Sequence, residues 1–465
     1  MAGMEAVAEA IGVSIPVLQF LMCFFLTVPC SVLRRFIKGT TVRHAYSAVT
    51  GAVLSHYSFG SASNILFVVP ILGSYASMVF YRKQSGFITA FIAFTYLISC
   101  HLYYMSGDAW KNGGIDATGA LMVLTLKVTA AAMNYQDGLI KEEDLRDSQK
   151  RNRLVQLPPA LAYLGYCFNC GTHLAGPVYE LKDYLDWTDD KGLWSPHQTQ
   201  PPPSPYGPAL RSLMKTLLCM GVYVYLSPRF PLSWYSDPGY YKWGFWQRVG
   251  YQILTAFTTR WKYYFIWSLA EASVILSGFG FSGWKDSKPK WDRAVNVDIV
   301  QVELATSAAA LPVYWNIHVS TWLRHYVYER LIPKGKKPGF WQLLATQVVS
   351  AVWHGLYAGY LLFFVNSALM ISGSKAIYRW QRALPENSVV PRRVLLVLNF
   401  MYTLFVLDTT CIGFVILGLH ETLAAYSSVY YSGTLVALAM TVFGSVVTPP
   451  RQKSTSSAVK VKKSE

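Results

Sequence analysis

Residues 15–43 read IPVLQFLMCFFLTVPCSVLRRFIKGTTVR. The first nineteen, 15–33, form an apolar run of the length a bilayer span needs. Arg34, Arg35, Lys38 and Arg43 follow, with no acid among them. Basic residues at the end of a span mark its cytosolic side, so this pattern predicts a membrane helix with a lumenal N-terminus. Glu5 and Glu9 stand before the run and no basic residue does, so a cleavable signal peptide is not expected.

The pattern repeats along the chain. Runs near 44–59 and 61–80 form a hairpin that returns to Arg82 and Lys83. Runs at 86–105 and 117–135 flank a short polar loop, SGDAWKNGGID (106–116), and lead to 141–153, which holds five basic and four acidic residues. Even crossing counts put Arg34, Arg82 and Arg153 on one side. A moderately apolar segment, 154–170, precedes a Pro-rich loop, PPPSP (201–205), expected along the membrane surface because proline removes backbone donors. Further runs lie near 208–226, 245–258, 262–281, 339–353, 355–373, 394–419 and 424–447. The stretch 282–338 is too polar for a lipid-facing span and too apolar for a free loop. Irregular backbone survives at membrane depth only under a cover of protein or beside a cavity, so this stretch reads as re-entrant or interfacial. The expectation is an all-α, multi-pass membrane protein with about 10–12 hydrophobic helical segments. A single transmembrane domain would cover 1–447, with interfacial and re-entrant segments inside 155–338, and a disordered basic tail would occupy 448–465.

Composition agrees. Charged residues make up 14% of the 465 positions, hydrophobic residues 52%, and mean hydropathy is +0.26. Ordinary soluble proteins carry roughly 25% charge, so a soluble enzyme is not expected, and disordered, fibrous and disulfide-scaffold classes are excluded. The net charge is +16. Its basic residues are scattered in short clusters between apolar runs, as in loops beside anionic lipid, and no compact basic domain exists to bind nucleic acid. Seven cysteines imply no disulfide framework, and the lone CxxC at Cys167 and Cys170 lacks the second pair a zinc site needs.

Polar side chains at membrane depth are expensive and are functional candidates. His354, in AVWHGLYAGYLLFF (351–364), has no acidic neighbour in sequence, and Gly355 and Gly359 allow close approach of backbone or substrate. A core histidine satisfied by a neighbouring helix explains it as well as a catalytic base does. Asn316, in PVYWNIHVSTWLRHYVYERL (312–331), carries amide donors suited to a developing oxyanion. A polar contact between helices, worth about 1 kcal/mol in a bilayer, is the plainer account of it taken alone. His318 and His325 share that stretch beside Arg324 and Glu329 and read as solvated or structural.

WNIHVSTWLRHYVYERL (315–331) followed by WHGLYAGY (353–360) resembles the membrane-bound O-acyltransferase family, and within it the lysophospholipid acyltransferases, above all plant lysophosphatidylcholine acyltransferases. The closer likeness rests on YMSGDAWKNGGIDATGALMVLTLK (104–127), GPVYELKDYLDW (176–187), RWKYYFIWSLAEASVILSGFGFSGW (260–284) and KPKWDRAVNVDIVQVE (288–303), and it runs from about residue 11 to 447. The resemblance implies helices around an intramembrane catalytic chamber. It implies transfer of an acyl chain from acyl-CoA, as co-substrate, to the free hydroxyl of a lysophospholipid, with His354 as catalytic histidine and Asn316 as its polar partner. No metal or redox cofactor is implied. A neutral imidazole, which desolvation favours, is the form that accepts a hydroxyl proton. Basic residues within 324–337 (Arg324, Arg330, Lys334, Lys336 and Lys337) suit a polyanionic CoA head, although an ordinary positive-inside loop would look the same. Trp315, Trp322, Trp353 and Tyr357 flank the two polar candidates, as substrate wall or as packing. The chain ends Lys462-Lys463-Ser464-Glu465, which resembles the dilysine retrieval signal of the endoplasmic reticulum, read from the cytosol. Acylation of a neutral lipid or a protein, a non-enzymatic transporter, and assembly as a homo-oligomer stay open on these residues.

Overall fold

A computed structural model describes residues 2–447 except 12, 61, 106–115, 198–199, 201, 334 and 386–387, together with residue 449. The Pro-rich loop from position 202, and Asp116 of the polar loop, are therefore included. The rest of that polar loop, Lys334 and the dilysine-like end lie outside the described residues.

The chain is built from helices α1 (Ala2–Ile11), α2 (Ile15–Arg34), α3 (Thr40–Phe59), α4 (Ser63–Phe80), α5 (Ser85–Met105) and α6 (Thr118–Asp137), then short helices α7 (Asp147–Asn152), α8 (Ala160–Cys167), α9 (Cys170–His173) and α10 (Leu181–Thr188). The second half holds α11 (Tyr206–Leu226), α12 (Pro238–Lys242), α13 (Phe245–Leu276), α14 (Ile299–Glu303), α15 (Leu311–Tyr314), α16 (Ile317–Leu323), α17 (Phe340–His354), α18 (Ala358–Ala383), α19 (Val389–Thr410), α20 (Ile412–Ile416), α21 (Leu419–Ser428) and α22 (Ser432–Val446). Strands are confined, among the described residues, to one antiparallel hairpin, β1 (Gly283–Lys285) with β2 (Lys288–Lys290).

Eleven of these helices have fifteen residues or more, in line with the ten to twelve apolar runs. Six are long and apolar enough to cross a bilayer: α2, α4, α5 with its leading turn, α11, α18, and α19 continued by α20. A seventh arises if α21 and α22, bent by 79°, count as one broken span. Of the other long helices, α6 and α13 are mostly covered by protein. In α6, fifteen of twenty residues are buried, and Lys127 among them is 0% exposed. Its ammonium donates to the carbonyls of Tyr166 (2.5 Å) and Cys167 (3.2 Å), which a protein core requires of any buried charge.

Some boundary expectations fail: the run 424–447 is two helices, α21 and α22, and the run 394–419 is broken between α19 and α20. The runs 245–258 and 262–281 are one continuous helix, α13, of 32 residues that stops at Leu276. Arg260 lies in the gap between the two runs. Its guanidinium is held by Glu303 and Asp408, so the helix continues through it.

Small residues bring the helices together where lipid provides no hydrophobic drive. On α22 Gly444 lies against Ala376 of α18, and Gly373 of α18 lies under the Tyr402 hydroxyl of α19. Gly51 of α3 is tighter still: a Cβ there would fall 1.6 Å from the Phe168 carbonyl oxygen, between α8 and α9.

The basic clusters meet at one end. Arg34 stacks on Trp187 (4.2 Å), and Arg43 pairs with Asp190 (2.6 Å). Arg82 donates to the Val155 carbonyl (2.7 Å), Lys182 to that of Arg151 (3.1 Å), and Arg146 to that of Ile332. Arg330 pairs with buried Asp137 (2.6 Å).

The Gly51 contact gives a stability test. Gly51→Ala forces α3 away from the Phe168 turn and should cost about 1–3 kcal/mol, the usual scale of overpacking. Gly250→Ala on α13 meets open space and should be neutral. Thermal unfolding of detergent-solubilised protein, read as the fraction remaining monodisperse, distinguishes the two.

Candidate active site

His354 is the last residue of α17. The helix ends there because Gly355 has φ 125°, a conformation that side chains other than glycine's rarely adopt. The imidazole sits among Trp353 (centroids 4.6 Å apart), Tyr360 (5.3 Å), Phe364 (5.2 Å, stacked) and Phe414 (5.1 Å). Among the described residues, no hydrogen bond reaches either ring nitrogen of His354. The floor beneath it is fixed. Trp353 Nε1 donates to the Met122 carbonyl on α6 (2.9 Å), and Nε2 of buried His101, on α5, lies 3.3 Å from the Trp353 carbonyl oxygen. Gly359 lets α18 start against α20: its N–H donates to the Leu417 carbonyl (2.9 Å), and a Cβ there would fall 2.2 Å from the Gly413 oxygen.

Asn316 lies just before α16 in a left-handed conformation, φ 45° and ψ 54°. Asparagine tolerates this region better than most residues. Asn296 holds the turn. Its carbonyl accepts from the Ile317 N–H (3.0 Å), its side-chain oxygen accepts from the His318 N–H (3.0 Å), and its Nδ2 donates to Asn316 Oδ1 (3.1 Å). With Oδ1 of Asn316 so engaged, Nδ2 is the atom of that amide left to donate elsewhere. Trp315 packs edge-on against Tyr263 (5.7 Å), Tyr264 (5.8 Å) and Trp267 (4.9 Å) of α13.

Two rings connect the halves. Tyr263, beside Trp315, meets Phe414 at 6.3 Å, and Phe414 packs on His354. His354 and Trp315, next to Asn316, thus flank one aromatic layer without touching each other. Trp353 belongs to this layer, and Tyr357 borders it through Tyr360 (5.9 Å). Trp322 does not: it is buried, donates to the Leu126 carbonyl on α6 (2.9 Å), and packs on Tyr326 (5.4 Å).

Arg324 lies elsewhere, at the basic end. With Arg146, Asp147, Ser148, Arg151, His325 and Glu329 it lines an open cavity of about 510 Å³. Glu329 accepts from Ser148 (3.0 Å) and pairs with Arg324 (3.0 Å). Burial, reinforced by the arginines, keeps the His325 imidazole below its ordinary range despite Glu329. Among the described residues, no three His, Cys, Asp or Glu side chains converge as a metal site requires.

Sequence reading did not single out His101, Asn296, Arg260, Glu303 or Asp408. Three of them left a signal: Arg260 and Asp408 are charges within or between apolar runs, and His101 is a histidine inside the run 86–105, where a polar group needs a partner. Asn296 left none, because its value lies in a contact with a residue 20 positions away.

Residues 102–417 match the sequence profile of the membrane-bound O-acyltransferase family, and the chain belongs to that family. It is 58% identical to lysophospholipid acyltransferase 2 of Arabidopsis thaliana over 447 residues, which cover 96% of each chain. It is 56% identical to lysophospholipid acyltransferase 1 of the same plant, over 96% of this chain and 97% of that one. The lysophospholipid acyltransferase of Schizosaccharomyces pombe is 31% identical over 95% of this chain and 89% of its own length.

Asn296 gives a prediction for this site. In Asn296→Asp the carboxylate cannot donate to Asn316 Oδ1, so the Asn316 amide turns its NH2 toward position 296. Turnover by the membrane fraction should fall at least about tenfold, below the full cost of a lost oxyanion donor, with expression unchanged.

Proposed function

We propose that this chain transfers a fatty acyl group from acyl-CoA to the free hydroxyl of a lysophospholipid, lysophosphatidylcholine among them. The observation that carries this reading is the unpartnered His354 imidazole across one aromatic layer from the Asn316 turn. The family supports acyl transfer, and the relatives named above support the class of acceptor.

A glycerol hydroxyl is a poor nucleophile at neutral pH. His354 accepts its proton as the oxygen attacks the thioester carbonyl carbon. Asn316 Nδ2 donates to the carbonyl oxygen as negative charge develops there. The C–S bond breaks as the ester C–O bond is completed. The imidazolium returns the proton to the CoA thiolate, leaving phospholipid, free CoA and a neutral His354. The apolar rings keep water from competing for the acyl group. The polyanionic CoA head is assigned to the basic cavity of Arg146, Arg151 and Arg324, where three guanidiniums outnumber Asp147 and Glu329. No metal or redox cofactor takes part in this scheme. The basic end then faces the cytosol, and the Lys462-Lys463 pair supports residence in the endoplasmic reticulum membrane.

His354→Ala should insert and fold normally and lose at least about a hundredfold in transfer of labelled acyl groups to lysophosphatidylcholine, the usual scale of a lost general base. Near-normal turnover would remove His354 from the mechanism, and acylation of diacylglycerol or a sterol alone would replace the acceptor. The topology has its own test. A glycosylation acceptor on a polar insert in the 106–116 loop should be modified in microsomes, and a matching insert near Asp147 should not. The reverse pattern would invert the orientation and the CoA-facing side together.

A further inference from the structure

Arg260 sits within α13 and is 8% exposed. Its guanidinium is shared between two carboxylates from distant parts of the chain. Nε and Nη2 hold both oxygens of Glu303, at the end of α14, at 2.8 and 2.7 Å. Nη1 holds Oδ1 of Asp408, near the end of α19, at 2.5 Å, and Asp408 is 0% exposed. The Tyr264 hydroxyl, one helical turn along α13, donates to Glu303 Oε1 (2.5 Å). Two acids face one base, and Asp408 Oδ2 has no partner among the described residues.

A cluster of this kind is costly in an apolar interior, and an apolar replacement is often no less stable. Stability alone is therefore a poor reason for it. Its connections suggest another. Glu303 belongs to the irregular segment that ends in the Asn316 turn, and Tyr264 packs on Trp315. Asp408 precedes α20, whose Phe414 packs on His354. Tyr263, three residues after Arg260, touches both Trp315 and Phe414. One guanidinium thus ties the segment carrying Asn316 and the wall behind His354 to the same turn of α13.

We propose that Arg260 is a positioning residue that sets the separation between the Asn316 turn and the Phe414 wall against which His354 packs. The planar fork suits this task because it grips Glu303 at two points and keeps a third donor for Asp408; a lysine ammonium has no such geometry. In kinetic terms this inference rests on the acyl-transfer reading. In structural terms it does not.

Asp408→Leu is the informative variant. It removes the surplus carboxylate, leaves Arg260 and Glu303 as a neutral pair, and keeps the branched four-atom outline of the side chain, so the protein should fold. In purified protein its kcat should fall at least tenfold with both KM values within twofold of wild type, the pattern of lost alignment rather than lost binding. Asp408→Asn keeps an acceptor for Nη1 and should recover kcat to within threefold of wild type. Backbone hydrogen exchange in Asp408→Leu should quicken at 311–323 and at 411–417 together. Wild-type kcat in Asp408→Leu, equal losses in Asp408→Leu and Asp408→Asn, or unchanged exchange in both segments would each overturn the proposal. If Asp408→Leu does not accumulate as folded protein, Arg260→Lys is measured instead. A loss of kcat at constant KM supports the proposal there, and wild-type kcat overturns it. Should wild type itself acylate no lysophospholipid, the acyl-transfer reading fails, and the exchange comparison alone decides this one.

Discussion

A bilayer offers no water to a backbone that leaves the helix, and the candidate site is built where the backbone leaves it most. Between β1 and α17 a number of the freed groups are met by protein. The Asp298 N–H finds the Tyr314 carbonyl (2.9 Å), Val297 bridges to Trp315, and the Ala308 N–H finds the Ser374 hydroxyl on α18 (3.0 Å). The Ile317 and His318 N–H groups both end on Asn296. At the other half of the site the Trp353 carbonyl is met by His101, and the Gly359 N–H by Leu417. Unsatisfied, each such group would cost several kcal/mol in hydrocarbon. The cover is thus a condition for the site, and it also immobilises the two side chains that matter.

Local signals made much of this visible. The apolar runs and their basic flanks predicted α2 to α6 nearly residue by residue, because lipid imposes length and composition on each helix separately. Asn316 and His354 stood out because a polar group at membrane depth needs a reason. Failures came where a residue answers to a distant partner. Arg260 lies in the gap between the runs 245–258 and 262–281; in the fold it is a charge already paired, and α13 runs through it. Asn296 sits in a polar stretch where an amide attracts no notice, and only the folded chain sets it against Asn316. For Trp322 the sequence left substrate wall and packing both open; in the fold it packs against α6, where its indole has a carbonyl to satisfy.

Charge is divided into two zones. At the basic end, exposed or half-exposed pairs such as Arg43 with Asp190 and Arg153 with Glu142 sit near water and contribute little individually. Their combined field favours anions. Inside, Lys127 rests on carbonyls and Arg260 on carboxylates, and these contacts are dry. The first zone is sensitive to salt and the second is not.

Helix α6 has a further consequence. The indoles of Trp353 and Trp322 donate to Met122 and Leu126, carbonyls one turn apart on this single helix. The strand of chain bearing Asn316 and the helix bearing His354 are thereby read off the same ruler, and most of that ruler is shielded from lipid. When a bilayer thins or thickens, peripheral spans such as α2 and α11 tilt to follow it. The marks on the ruler keep their spacing. The register between the two halves is consequently set by contacts with protein and not by the thickness of the bilayer.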